Sequence, residues 1–135
     1  MSLGYGAYAR LDVMDDTMLV YQYCCYNLNK ANYELYSHLL DGKLWIQKDA
    51  LIEGEVYLKR IKKPNGKKIL LQKRRRVEVD FEKLLREKRI EIENASGTWY
   101  EIDDGYDVMA LKIIYKIYEE YQMTGVIPEK IDFFS

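Results

Sequence analysis

Alternating apolar and polar positions in the first part of the chain predict β-strands. Residues 7–27 are expected to form a hairpin, because two strand-like runs flank Asp15-Asp16, a pair with turn chemistry. In the second run, Tyr21, Tyr23 and Cys25 share one face, and the residues between them are largely apolar as well. Apolar side chains on both faces indicate a central strand that is covered on both sides.

The pattern between residues 31 and 52 supports two interpretations. Its tyrosines recur at helical spacing, whereas Asp41-Gly42 is a hairpin-turn signal followed by residues that prefer strands. We expect a second hairpin that pairs residues 33–40 with residues 43–47. A short helix over the first of these segments is the alternative.

Residues 55–77 show the clearest hairpin pattern, with strand-like runs on either side of Pro64-Asn65-Gly66. A three-residue loop suits this sequence: Pro64 and Asn65 form a type I turn, and Gly66 takes the left-handed conformation of a bulge. This loop pairs position 62 with 68 and position 56 with 74. A two-residue Asn-Gly turn is the alternative, and it shifts the register by one.

A short helix and a short strand are expected after this hairpin. Asp80 is a good N-cap for a helix over residues 81–88, whose apolar positions follow helical spacing. Residues 90–93 then alternate between isoleucine and glutamate, which is typical of a strand.

A long C-terminal helix has the most regular apolar spacing in the chain. We expect it to begin at Asp103 or Asp104 and to end before Gly125, since Pro128 prevents its continuation. The segment after Pro128 is expected to be extended, with Phe133 and Phe134 packed against the body.

These elements predict an α+β fold. We expect a curved antiparallel sheet of about five or six strands, built from hairpins, with the long C-terminal helix packed on one face. The short helix near residue 81 is expected at an edge of the sheet. The length of 135 residues and the hydrophobic content of 48% suit a single globular domain over residues 1–135.

Charge is strongly segregated along the chain. The formal net charge is −1, but residues 1–54 carry −3, residues 55–90 carry +9 and residues 91–135 carry −7. Segregation on this scale concerns how a protein associates rather than how it folds.

The basic hairpin is therefore the candidate binding site. Residues 59–76 contain ten lysines and arginines and no acidic residue. In the register set by the three-residue loop, one face gathers four of these cations with leucines between them. The predicted binding residues are Arg60, Lys62, Lys68, Arg74 and Arg76.

No catalytic or metal-binding constellation is evident. His38 is the single histidine, no nucleophile motif accompanies it, and the adjacent Cys24 and Cys25 lack zinc-ligand spacing. We expect no enzyme activity, no cofactor and no metal. The two cysteines are expected to be free thiols in a reducing compartment, because bridging adjacent residues strains a disulfide, and the cytoplasm is the expected location. We expect neither a membrane segment nor a secretory signal.

The favoured functional hypothesis is a non-catalytic interaction module. Its basic hairpin would contact an acidic protein partner or a second copy of the chain, giving a homo-oligomer. Nucleic-acid binding through phosphates is the alternative, but the isoelectric point near 5.9 and the absence of an aromatic RNA-binding motif on the hairpin weigh against it. An unrecognised small enzyme is the third hypothesis.

Overall fold

Strands dominate the chain over residues 4–134, which are the residues that the structure, a computed structural model, describes. In chain order the strands are β1 Tyr5–Met14, β2 Met18–Asn27, β3 Gly42–Gln47, β4 Glu55–Lys62, β5 Lys68–Arg75, β6 Ile90–Glu93 and β7 Lys130–Phe134. Two α-helices are present in this range, α1 Phe81–Arg86 and α2 Val108–Thr124. The predicted α+β fold is confirmed.

Five of the described strands form one antiparallel sheet in the order β6-β3-β2-β1-β7. Strand β2 lies at its centre and is buried on both faces, as predicted: Tyr21 and Tyr23 are buried on one face and Cys24 on the other. Asp15 shapes the β1–β2 turn by accepting hydrogen bonds from the backbone N–H groups of Thr17 and Met18, both at 2.8 Å. These bonds also lower the pKa of the Asp15 carboxyl.

Helix α2 packs against one face of this sheet and completes the core. Its buried residues Ile113 and Ile117 belong to the same apolar cluster as Leu19 and Leu44 of the strands. The strand after Pro128 confirms the expected extended segment. Phe133 is packed against the core as predicted, but Phe134 is 67% exposed, because alternate residues of an edge strand face opposite ways. Neither helix within residues 4–134 is long and apolar enough to cross a membrane.

The start predicted for the long helix is wrong. Helix α2 begins at Val108, not at Asp103 or Asp104, because those residues belong to a tight turn. The N–H of Gly105 donates to the carbonyl of Ile102 at 2.8 Å, and Gly105 has a φ of 88°, which does not continue into a helix. The end predicted before Gly125 is confirmed, and Gly125 adopts the left-handed conformation of a helix terminus.

The expected strand over residues 33–40 is also wrong. A single 3₁₀ turn, Tyr33–Leu35, begins this segment, and further turns follow it. Tyr33 stacks on Tyr26 of β2, with ring centroids 6.4 Å apart. Tyr33 is therefore a packing contact of the sheet and not a residue of a strand. The second half of the predicted hairpin is a strand, β3, but it pairs with β2 and β6.

The remaining predicted elements are present. Asp80 caps α1 by accepting a hydrogen bond from the N–H of Lys83 at 3.1 Å, although the helix ends at Arg86, two residues earlier than expected. Strand β6 follows as predicted. Strands β4 and β5 form the basic hairpin, but they pair only with each other and make a separate two-stranded sheet in the described chain.

Candidate interaction site on the basic arm

The loop of the basic hairpin has the three-residue geometry that the sequence predicts. The N–H of Gly66 donates to the carbonyl of Lys63 at 2.9 Å, and the N–H of Lys63 donates to the carbonyl of Lys67 at 2.7 Å. Gly66 has a φ of 85°, the left-handed conformation that glycine adopts without strain. Lys62 consequently faces Lys68 across the strands, as predicted, and the two-residue turn is excluded.

The hairpin projects from the body as an arm, defined here as residues 55–75. None of its side chains belongs to the apolar core cluster. A strand of eight residues spans about 26 Å at about 3.3 Å per residue, so the arm is long relative to a small domain. It carries nine lysines and arginines and a single glutamate, Glu55.

The arm has two faces of different character. The inner face consists of half-buried apolar side chains with flanking cations, namely Tyr57, Lys59, Ile61, Ile69, Leu71, Lys73 and Arg75. The outer face is the more exposed, and its residues are Val56, Leu58, Arg60, Lys62, Lys68, Leu70, Gln72 and Arg74. Leu58 is 65% exposed and Leu70 is 59% exposed, so apolar groups stand in water between the cations of the outer face.

The structure brings three of the five predicted binding residues together. Arg60, Lys62 and Lys68 are exposed on the outer face near the tip, and within residues 4–134 their side chains make no ion pair or hydrogen bond. A charged group without a partner at an exposed tip is available to another molecule. These three residues form the free cationic part of the site.

The other two predicted residues lie at the base of the arm and are engaged there. Arg74 is half-buried, and its guanidinium packs on Gly125 at the end of α2. Arg76 follows β5, and its Nη1 donates to the hydroxyl of Tyr115 at 3.2 Å and lies 3.4 Å from a carboxylate oxygen of Glu119. The charge of Arg76 is thus paired with Glu119, while Arg74 is held by packing.

Two residues that sequence reasoning missed fix the arm to α2. Gln122 is 2% exposed; its Nε2 donates to the carbonyl of Val77, and the N–H of Val77 donates to its Oε1, both at 3.0 Å. Gly54, just before β4, packs directly on the backbone carbonyl of Gln122, where a Cβ would clash. A buried glutamine in an amphipathic helix is the one sequence signal that could have indicated this clamp.

The side chains considered for catalysis are not assembled into a site. His38 is exposed, and its side chain bonds to no other part of the described chain. Cys24 and Cys25 are both free and buried, on opposite faces of β2. No group of three potential metal ligands occurs in residues 4–134.

Asp107 organises a buried polar cluster that the sequence did not reveal. Its carboxylate caps α2 by accepting from the N–H of Met109 at 3.0 Å, and it also accepts from the hydroxyl of Tyr23 at 2.7 Å and the thiol of Cys25 at 3.2 Å. Burial raises the pKa of Cys25, and the adjacent Asp107 raises it further. A protonated, buried thiol is a poor nucleophile. The hydrogen bonds of Asp107 join Tyr23 and Cys25 of β2 to the start of α2.

A groove lies between α1 and α2. Its volume is about 1340 Å³. Apolar side chains line much of it, namely Phe81, Leu85, Ile90, Ile102, Val108, Leu111, Ile114, Tyr115 and Phe133. The exposed carboxylates of Glu82, Asp103 and Asp104 also line it. Sequence reasoning missed this groove, because its walls come from segments about 20 residues apart that the fold brings together.

In comparisons with known proteins, the chain matches no protein-family model, no curated protein and no solved structure. A functional argument therefore rests on the chemistry of its own residues.

Proposed function

We propose that this protein is a non-catalytic interaction module whose arm docks on an acidic surface of a partner protein. The observation that carries the proposal is the outer face, where Arg60, Lys62 and Lys68 are exposed without partners and the exposed Leu58 and Leu70 are their neighbours. Cations and leucines on one narrow strip match a surface that is both acidic and apolar. Such mixed surfaces are typical of protein interfaces, in which apolar anchors are surrounded by polar groups.

The exposed leucines favour a protein partner over a nucleic acid. Phosphate contacts need cations and hydrogen-bond donors, and they gain nothing from leucine side chains in the strip. Burying apolar surface contributes roughly 25 cal/mol per Å², so leaving both leucines in water is costly unless a partner covers them. The arm has a formal net charge of +8 and the whole chain one of −1, so the rest of the chain carries −9. That negative charge also repels a polyanion.

Nucleic-acid binding is the second candidate, and the shape of the arm supports it. A two-stranded β-ribbon fits the major groove of duplex DNA. The lysines of the inner face, such as Lys59 and Lys73, would then contact phosphates together with those of the outer face. This candidate requires charge on both faces, whereas docking on a protein requires the outer face alone.

Two double variants separate these candidates. Arg60→Gln with Lys68→Gln removes two charges from the outer face, and Lys59→Gln with Lys73→Gln removes two from the inner face of the same strands. Each protein is immobilised and exposed to a nuclease-treated lysate of the source organism, and the captured proteins are quantified by mass spectrometry. In parallel, binding to a labelled DNA duplex and a labelled single strand is titrated against salt concentration.

If the arm docks on a protein, the wild type and the inner-face variant capture the same partner. The outer-face variant is expected to bind that partner at least about tenfold more weakly, which corresponds to about 1.4 kcal/mol of binding free energy. Nucleic-acid binding would give a different result: both variants would weaken duplex binding similarly, with a strong salt dependence. That result, or equal capture by the two variants, would refute protein docking through the outer face.

A further inference from the structure

The groove between α1 and α2 has the chemistry that the outer face of the arm needs. Its apolar lining can receive Leu58 and Leu70, and its rim carries Glu82, Asp103 and Asp104. In the described chain these three carboxylates have no ion-pair or hydrogen-bond partner. The apolar lining and these three carboxylates match the leucines and the free cations of the outer face.

The cations that also line the groove are largely engaged. Lys112 donates from Nζ to the hydroxyl of Tyr5 at 3.0 Å and lies over the Phe133 ring, 5.2 Å from its centroid. Lys116 donates to the backbone carbonyl of Asp132 at 3.2 Å. Arg86 remains as an exposed cation at the edge. The partners of the two lysines are neutral, so Arg86, Lys112 and Lys116 keep their positive charges and the lining of the groove has mixed charge. A cationic arm is therefore attracted to the groove only at the carboxylates.

The arm is longer than the groove. The groove follows α2 from Val108 to Glu119, about 18 Å at about 1.5 Å per residue. Each strand of the arm has eight residues and spans about 26 Å at about 3.3 Å per residue. An arm laid along the helix therefore covers the whole groove and extends about 8 Å beyond it.

The base of the arm lies beside its own groove. A smaller cavity lined by Arg76 and Val77 shares Phe81, Tyr115 and Glu119 with the groove. Because these three residues belong to both cavities, the surface at the base of the arm is continuous with the groove. A two-fold axis through that surface would let two copies exchange arms reciprocally, which closes the assembly at a dimer.

We propose that the groove of one copy holds the arm of a second copy in a reciprocal dimer. This inference rests on the proposed function and names the chain itself as the acidic partner. Leu58 and Leu70 pack on the apolar lining, while Arg60, Lys62 and Lys68 meet the carboxylates of the rim. The reciprocal contact buries both arms at once.

Charge exchange tests this pairing. The arm variant carries Arg60→Glu and Lys68→Glu, and the groove variant carries Asp103→Lys and Asp104→Lys. A matched control, Glu91→Lys with Glu93→Lys, makes the same charge change as the groove variant at two residues of edge strand β6 that do not line the groove. Sedimentation equilibrium measures the mass of each protein and of an equal mixture of the arm and groove variants, after circular dichroism has shown which of them fold.

The wild type and the control are expected to be dimers, and the arm and groove variants alone are expected to dissociate at least about tenfold more readily. Their mixture is expected to form a one-to-one dimer, because the exchanged arm then meets the exchanged groove, and the unchanged arm of the groove variant meets the unchanged groove of the arm variant. A wild type that is monomeric at every concentration, or a mixture of folded variants that stays monomeric, overturns the inference.

A second measurement needs no variant. Wild-type protein in ordinary and ¹⁵N-labelled form is mixed and treated with a carbodiimide, which joins lysines to carboxylates in direct contact. Mixed-isotope peptides that link Lys62 or Lys68 to Asp103 or Asp104 are expected, and linkage confined to peptides of a single isotope overturns the inference. If the wild type is a monomer but still captures another protein through its outer face, the dimer is refuted and the proposed function stands. If the wild type is a monomer and captures no protein, the proposed function is refuted as well.

Discussion

The clamp between Gln122 and Val77 gives a quantitative prediction about how the arm is held. In the Gln122→Ala variant, both hydrogen bonds to the Val77 backbone are lost. Each contributes about 0.5–1.5 kcal/mol, or about 1–3 kcal/mol for the pair. Val77 is 38% exposed, so water can replace part of the loss, and we expect a destabilisation of about 2 kcal/mol.

Urea unfolding and amide exchange measure this loss in two ways. The free energy of unfolding should fall by about 2 kcal/mol, and the exchange of the Val77 amide should accelerate by roughly thirtyfold, the equivalent factor. Gln72→Ala is the matched control, because Gln72 is exposed on β5 and its side chain bonds to nothing in the described chain; we expect a change within about 0.5 kcal/mol. If the Gln122 and Gln72 variants agree in both measurements, the clamp does not hold the arm.

Three further predictions concern the core, the turn and pH. Asp107→Ala should cost about 3 kcal/mol in chemical denaturation, because a helix cap and a buried acceptor are lost, whereas Asp80→Ala should cost about 1 kcal/mol as a surface cap alone; equal costs would contradict a role for the buried cluster. Gly66→Ala should weaken the arm by about 1 kcal/mol, seen as faster exchange of its amides, and unchanged exchange would contradict the left-handed turn. Burial raises the pKa values of Tyr23 and Cys25, so the unfolded state releases their protons first, near pH 10 and about 8.5 respectively. These two groups should therefore not change the stability below about pH 8, and above it the stability should fall by up to about 1.4 kcal/mol per pH unit for each group; stability that rises there would contradict their burial.

Local chemistry explains the parts of the fold that could be predicted. The Pro64-Asn65-Gly66 loop determines its own conformation, so the register of the arm and the grouping of Arg60, Lys62 and Lys68 follow from sequence alone. The end of α2 follows for the same reason, because Gly125 and Pro128 stop a helix without help from the rest of the fold.

Tertiary contacts explain the parts that could not be predicted. Asp103 and Asp104 resemble N-cap residues as well as Asp107 does, and Asp107 becomes the cap because its carboxylate also receives the buried Tyr23 and Cys25 donors. The segment with Tyr33 has strand-forming residues, but it folds as turns over the face of β2 that carries Cys24 and Tyr26.

The groove could not be predicted for a related reason. Its apolar residues have the spacing of core positions on two amphipathic helices, and only the fold shows that part of this surface stays open. The segregated charge predicts a partner with an acidic surface. It did not show that an apolar groove with free carboxylates lies on the same chain, beside the base of the arm.

The most direct measurement of the role of the outer face is site-specific photo-crosslinking in the source cells. A photoreactive amino acid is placed at Leu58, which stands between the cations of the outer face, or at Lys59, its neighbour on the inner face. Docking of the arm on an acidic protein surface gives protein adducts from position 58 and few from position 59, and a second copy of the chain is among the expected partners. Equal protein adducts from the two positions, or adducts with nucleic acid alone, would contradict it.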